Sequence, residues 1–277
     1  MGYYKVEELS QGVYSLFEMV GVGSHLIVGD ESALLIDTGY GFGNLRSEVL
    51  RITRKPLTIV NTHVHADHVR GNSQFEIVYA HELDMPDFTS GALDRQYEQL
   101  TKYGAKLYPA LRLVLLYGKL KRKPAYTTER RLLQMDRELD LGGRAIRFIH
   151  VPGHTKGSIV ALDSKSGTVF AGDAVNPGAF LFFDPTLRLA DYADRLDVLA
   201  AEEGYCRLCI SHQTAALPFS FIGWYADFLR RTDTEKSVQT DIPNDGRAVY
   251  RYTEESDDYG ECSVFFDMKN VQPSNGG

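Results

Sequence analysis

Apolar positions change period along the chain, and the changes mark out its elements. Between Gly12 and Asp37 three short runs, Val13-Tyr14-Ser15-Leu16-Phe17, His25-Leu26-Ile27-Val28 and Ala33-Leu34-Leu35-Ile36, are parted by turn residues such as Gly29-Asp30. This pattern predicts an opening antiparallel meander. Leu45 to Ile52 reads as a helix, and Leu57-Thr58-Ile59-Val60 as a buried strand. From Met85 to about Glu129, Tyr97, Leu100, Leu107, Leu111, Val114 and Leu115 follow helical spacing. Pro109 divides that stretch into two helices, the second starting near the proline, where a missing N–H costs nothing. Strands resume at Ala145 to Val151, Ser158 to Leu162, Thr168 to Ala171 and Leu208 to Ile210, with helices at Tyr192 to Glu203 and Phe219 to Arg231. Beyond Thr232 the chain turns polar, then Arg247 to Tyr252 and Cys262 to Phe266 predict a terminal hairpin.

Five of the apolar runs end in a polar residue suited to a metal site or its support. Ile36 precedes Asp37-Thr38-Gly39, Val60 precedes Asn61-Thr62-His63, Val151 precedes Pro152-Gly153-His154, Ala171 precedes Gly172-Asp173, and Ile210 precedes Ser211-His212. Strand ends are fixed by a core while their loops are free to carry chemistry, so this is how a sheet protein gathers a site at one rim. The segment His63-Val64-His65-Ala66-Asp67-His68 holds three histidines and an aspartate within six residues. Residues two apart in extended chain point the same way, so His63 and His65 can share one metal. A turn starting at Asp67 lets Asp67 and His68 face a second metal beside the first. His154 is then the third ligand of the first metal, His212 of the second, and Asp173 can bridge the two. Imidazole and carboxylate suit zinc, iron or manganese. His25, His81 and His150 are read as ordinary surface or core histidines.

Composition narrows the partners. A formal net charge of −7 opposes the basic surface that nucleic acid requires, so the expected partner is a small molecule. The run Lys119 to Lys123 reads as a solvated helix end. The start of the chain lacks a signal-like apolar stretch, and no window approaches the ~18 apolar residues of a membrane span, which predicts a cytoplasmic location. Cys206 and Cys209 form a lone Cys-x-x-Cys and, with Cys262, make an odd count; they read as buried small side chains. The chain is expected to form a single domain, 1–277, with a core at about 12–231 and an extension at 232–277. The hairpin in that extension either covers the core or pairs with a second copy in a homodimer.

Taken together, the His-x-His-x-Asp-His of Thr62 to His68, Pro152-Gly153-His154-Thr155, Ala171-Gly172-Asp173 and Ser211-His212 resemble the metallo-β-lactamase superfamily over roughly Gly12 to Arg231. The resemblance implies an α/β fold, a four-layer αββα sandwich with a dinuclear site at one sheet edge. Here it would carry a helical insertion at about 86–130 and the C-terminal hairpin. It makes Asp37 a residue that holds ligands or loop structure rather than a ligand. An aspartate at 173, where true β-lactamases commonly carry a cysteine, points toward the glyoxalase II-like thioesterases and the lactonases. The segment Ala174 to Phe180 matches neither the glutathione-binding nor the lactonase pattern.

Two divalent ions, zinc foremost, outweigh the carboxylates of Asp67 and Asp173 and leave a positive site for a polarised carbonyl or phosphoryl oxygen. A metal-bridging hydroxide oriented by Asp67, the catalytic candidate, would attack an ester, thioester or lactone. The alternatives are a small-molecule phosphodiesterase, a non-haem iron oxidoreductase of the sulfur-dioxygenase kind, and a non-catalytic metal-binding protein. Candidate substrate contacts are Arg70, read as a surface arginine or an anion partner, and Phe180 and Phe182, read as pocket or core. The insertion, with Tyr97, Tyr103, Tyr108 and Tyr117, either covers a sheet or forms a pocket wall.

Overall fold

The computed structural model describes residues 2–89, 91–98, 128–182, 187–242 and 246–271. One sheet runs in chain order through β1 (Tyr4–Ser10), β2 (Val13–Glu18), β3 (Gly23–Val28), β4 (Ala33–Ile36), β5 (Leu57–Val60), β6 (Ile77–Ala80) and β7 (Glu129–Leu132). It is antiparallel from β1 to β4 and parallel from β4 to β7. A second sheet is built from β8 (Leu139–Asp140), β9 (Ala145–His150), β10 (Ile159–Asp163), β11 (Thr168–Gly172), β13 (Arg207–Ile210) and β14 (Leu217–Pro218), in the order β14-β13-β11-β10-β9-β8.

Side-chain alternation sorts each strand between two cores. Leu34 and Ile36 of β4 enter the space between the sheets with Ile27 and Val60, and meet Ile146, Phe148, Ile159 and Phe170 from the second sheet. Ala33 and Leu35 point the other way, onto Leu45 and Val49 of the helix Leu45–Ile52. On the second sheet Val160, Leu162, Val169 and Ala171 face outward, where Tyr192, Leu196, Phe221 and Tyr225 of the helices Leu189–Ala200 and Phe221–Arg230 cover them. Both faces of each sheet are thereby covered, and β4, β10 and β11 are buried along their whole length. The layers run helix, sheet, sheet, helix, as the sequence implied. Arg144 ties the sheets together: its guanidinium pairs with the buried Asp163 at 2.7 Å and donates to the carbonyls of Gln11, Gly12 and Val28.

Every strand and helix expected between Val13 and Val60, and between Ala145 and Arg231, is present with ends displaced by at most three residues. β1, β6, β7, β8 and β14 were not expected, nor were the strands at Gly178–Leu181 and Val238–Gln239; β1 is an edge strand with four consecutive exposed residues and so has no alternation to read. The terminal hairpin, β16 (Tyr250–Ser256) and β17 (Gly260–Phe266), is longer than expected and is not left free. β17 pairs in parallel with β12 (Gly178–Leu181), and β15 (Val238–Gln239) completes this third sheet beside β16. Tyr252, Cys262, Val264 and Phe266 join the core beneath the two C-terminal helices. The hairpin therefore covers the sandwich, by zipping onto the segment that follows Asp173.

Within the expected insertion, residues 91–98 are helical. The second helix at Pro109, the tyrosines at 103, 108 and 117 and the basic run at 119–123 lie outside the described residues. Cys206 is exposed and Cys209 is buried in the inter-sheet core, so the pair does not share one environment. Among the described residues no helix is long and apolar enough to cross a membrane.

Candidate metal centre

The loops after β5, β9, β11 and β13 bring seven side chains together. His63, His65 and His154 present ring nitrogens within 4.8 Å of one another, and Asp67, His68 and His212 form a second such group. Asp173 lies between the groups: its Oδ2 is 3.1 Å from His212 Nε2, 3.6 Å from His68 Nε2 and 3.8 Å from His154 Nε2. The seven side chains named from the sequence as candidate ligands thus lie together. The turn after His65 is the helix Ala66–Val69, which carries Asp67 and His68 to the same side.

Four of the imidazoles present Nδ1 to an oxygen on the outside of the centre. Nδ1 of His63 faces Thr62 Oγ1 at 3.0 Å, that of His68 faces Asp37 Oδ2 at 3.0 Å, that of His154 faces the Phe180 carbonyl at 3.0 Å, and that of His212 faces the Gly21 carbonyl at 3.0 Å. Thr62 Oγ1 gives its own proton to Asp37 at 2.7 Å, so it accepts from His63. With Nδ1 occupied as a donor in each ring, Nε2 points inward and is the nitrogen left to bind a cation once it carries no proton. His65 is turned the other way and meets His154 Nε2 through Nδ1, at 2.9 Å. His63 Nε2, His68 Nε2 and Asp173 Oδ1 are buried without a hydrogen-bond partner. An unpartnered buried polar atom costs about 1–3 kcal/mol, and three of them converge here on a set of acceptors. Divalent cations would satisfy these atoms, and the donor set of imidazoles and carboxylates fits them.

Asp37 organises this arrangement from behind. Its carboxylate accepts from Thr62 N–H (2.8 Å), Thr62 Oγ1 and His68 Nδ1. It is the one non-glycine described residue with positive φ, 59°, a conformation that aspartate tolerates better than most side chains. Gly172 has φ 56°, and a Cβ there would fall 2.4 Å from Thr62 Oγ1, so only glycine lets Asp173 approach the histidine loop this closely. Asp84 does comparable work and was missed in the sequence. Buried after β6, it accepts from Val64 N–H (3.1 Å), Thr155 Oγ1 (2.8 Å) and Gly157 N–H (2.7 Å), tying the His63 loop to the His154 loop. No spacing marks it, because its partners come from two distant segments. A third support links Thr38, Asn72 and Asn61, with Thr38 N–H and Oγ1 holding the His68 carbonyl at 2.8 and 3.0 Å.

The two groups differ in charge. Burial, with the neighbouring imidazoles, holds His63 and His65 well below the usual histidine range. Burial also lowers His154, against the opposing pull of Asp173. At His68 burial acts in the same direction but is outweighed by Asp67 and Asp173, which hold the imidazole well above its ordinary value. At His212 burial is likewise outweighed, chiefly by Asp173, and the imidazole is raised to about 9. Asp173 is the counterpart: burial pushes it up, yet His212 and His68 hold it well below the carboxylate range.

Of the substrate candidates, Arg70 is not a surface residue. It is 5% exposed, its Nη1 lies 3.4 Å from Asp94, and its guanidinium sits 4.1 Å above the Tyr97 ring. Phe182 is buried with Ile242, Val249 and Phe265, which fits core packing, and Phe180 lies half-buried at the edge of that cluster. The part of Phe180 that serves the centre is its carbonyl, which orients His154. His25, as expected, is a core residue, with burial lowering it to about 4. His81 and His150 stack on each other at 4.0 Å, with His81 buried.

A four-layer αββα sandwich with paired histidine and aspartate groups at one sheet rim defines a metal-site protein of the β-lactamase-like fold. The chain belongs to the metallo-beta-lactamase superfamily, whose model matches residues 20–203. It is 26% identical over 208 residues to the human protein named acyl-coenzyme A thioesterase MBLAC2, covering 69% of this chain and 73% of that one. It is 30% identical over 122 residues to a hydroxyacylglutathione hydrolase of Synechococcus sp. (strain JA-2-3B'a(2-13)), covering 44% of this chain and 36% of that one. The fold is also that of a solved metallo-beta-lactamase superfamily protein from Sulfolobus tokodaii, with TM-score 0.55, 18% identity and coverage of 84% and 91%.

Proposed function

We propose that this protein is a metal-dependent hydrolase of small-molecule thioesters, working in the cytoplasm with a dinuclear zinc centre. The observation that carries this reading is the orientation of the imidazoles: four outward nitrogens face acceptors, and the inward ones of His68, His154 and His212 face Asp173. The relatives named as an acyl-coenzyme A thioesterase and a hydroxyacylglutathione hydrolase support the thioester as the bond cleaved.

In this reading His63, His65 and His154 would hold one ion and Asp67, His68 and His212 the other, with Asp173 between the two groups. When bound, the ions supply Lewis acidity that polarises a carbonyl and lowers the pKa of water. Asp67 orients the attacking water by accepting its hydrogen bond. Asp37 and Thr62 keep His68 and His63 in the tautomer that turns Nε2 inward. The half-exposed ring of Phe180 lies next to the carbonyl that orients His154 and offers an apolar contact for an acyl group.

Elemental analysis of protein purified without added metal is expected to give two zinc ions per chain. Chromogenic thioesters are expected to turn over faster than lactones or phosphodiesters. Iron in the centre, or phosphodiester cleavage as the fastest reaction, would overturn the corresponding part.

A further inference from the structure

The segment after Asp173 serves the centre through a main-chain atom, the Phe180 carbonyl, and β17 decides where that atom points. β12 is an edge strand of the third sheet: one edge pairs in parallel with β17, and the other faces the His154 loop. In an extended strand the N–H and C=O of one residue leave by the same edge, and the next residue uses the opposite one. Pro177 gives its carbonyl to Ser263 N–H of β17 at 2.6 Å, whereas Gly178 turns its N–H away, to Asn176 Oδ1 at 3.0 Å. Two residues beyond Gly178, Phe180 again uses the outer edge, where its carbonyl lies 3.0 Å from His154 Nδ1.

Side chains hold this register from both faces. Ala179 and Leu181 stand opposite Val264 and Phe266, and all four enter the core under the C-terminal helices. Phe180 stands opposite Phe265 on the other face, with ring centroids 4.8 Å apart, beside a cluster that Phe182, Ile242 and Val249 complete. A slip of one residue would exchange the two faces and send Ala179 and Leu181 out of the core, so packing against β17 fixes which carbonyl His154 meets. β17 lies beyond residues 20–203, the stretch that the family model matches, yet it is one contact removed from a candidate ligand.

We propose that β17 is a positioning element of the metal centre, with Phe265 its key residue. It holds β12 where the Phe180 carbonyl fixes the ring of His154, and so sets the cation affinity of the half that contains His63, His65 and His154. The inference rests on the dinuclear reading above. An imidazole whose second nitrogen is held keeps one orientation, and losing such a partner costs about tenfold to a hundredfold in metal affinity. Phe265 acts through Phe180, so its loss should be felt in one half of the centre only.

The test is zinc binding by the full chain, read by chelator competition, with melting temperature and the Nδ1–H signal of His154 in nitrogen-15 spectra measured alongside. Phe265→Ala removes the ring against which Phe180 rests. Val249→Ala is the control, since it hollows the same cluster from a residue that pairs with Thr240 rather than with β12. For Phe265→Ala the expected result is one zinc equivalent weakened by about tenfold to a hundredfold, the other unchanged, and a His154 Nδ1–H that exchanges faster with solvent. Val249→Ala is expected to melt earlier while holding both equivalents within about twofold of wild type. Two unchanged equivalents in Phe265→Ala, a parallel weakening of both, or the same single loss in Val249→Ala would each overturn the proposal. If Phe265→Ala does not fold, wild-type protein gives the second reading, because coupling between two sites is reciprocal. Zinc should then slow amide exchange in β12 and β17 by about tenfold more than in the helix Leu45–Ile52, and an equal effect on both regions overturns the proposal. Wild-type protein that takes up no zinc sinks the dinuclear reading itself, an outcome distinct from two equivalents indifferent to Phe265→Ala.

Discussion

The two halves of the metal centre are built from similar parts and poised in opposite states. His63, His65 and His154 face one another, with Asp173 3.8 Å from His154, and burial outweighs that carboxylate and lowers all three. His68 and His212 lie within 3.6 Å of Asp67 and Asp173, and those carboxylates draw protons onto them. Without metal, the first half offers lone pairs immediately, whereas the second is an internal set of ion pairs that a cation must break. Carboxylates thus raise the intrinsic attraction for a cation in the second half and also its competition with protons.

The largest effect should come from the residue that belongs to both halves. Asp173→Ala removes the oxygen closest to both groups, and it is expected to lower thioester hydrolysis by well over about a hundredfold and to deplete both ions, with the fold retained. Elemental analysis with circular dichroism checks this; full activity in a verified metal-free His63→Ala/Asp173→Ala double mutant would end the proposed mechanism. Next in size is a difference of stoichiometry. His212→Ala, in the more open half, should leave about one ion per chain. His154→Ala should disturb the neutral half instead, and equal losses from the two variants would erase the distinction drawn here.

The pH dependence of metal uptake by the stripped protein should separate the halves further. Histidines with raised pKa hold protons in the folded, metal-free state, so cation affinity in the second half falls as pH drops through about 9 toward neutrality. It should fall by about tenfold per pH unit for each proton displaced. In the first half the lowered imidazoles release no proton at neutral pH, and affinity stays flat there. Chelator competition at several pH values reads this directly, and two equivalents weakening in parallel would contradict it. Asp37→Asn is a smaller change, since asparagine tolerates the same positive φ while losing the charge behind His68. About ten- to a hundredfold of metal affinity or activity should go with it, preferentially at the second half.

The parts that were legible in the sequence share one property: they are set by local periodicity or short spacing. The strands ending at Ile36, Val60 and Ile210 could be read because each is an apolar run, and the histidine cluster because its members lie within six residues. Asp84 could not, because it acquires its role from partners far along the chain. Arg70 read as a surface residue because an arginine normally is one; the Tyr97 ring and Asp94 that bury it come from a separate helix. The pairing of β17 with β12 was equally hidden, since parallel partners about 85 residues apart leave no turn signal between them.

A final contrast lies between the centre and the carboxyl beneath its supporting loop. Glu18 is fully buried and, among the described residues, has no basic partner; it accepts from Tyr3 and Tyr4 hydroxyls at 3.3 and 3.2 Å and from Tyr40 N–H. Burial pushes its carboxyl up to about 8, against the lowering effect of those donors. In the unfolded chain the same group titrates near 4.5, so between these values the folded state holds a proton that the unfolded state has lost. Stability from this group is therefore complete below about 4.5 and declines as pH rises toward about 8. Glu18→Gln cannot titrate, and the wild-type fall in melting temperature across that window should shrink in the variant, by a few degrees. Parallel curves would mean that the tyrosine and backbone donors keep Glu18 ionised throughout, and the loop carrying Tyr40 would then sit on a fixed charge rather than on a neutral acid.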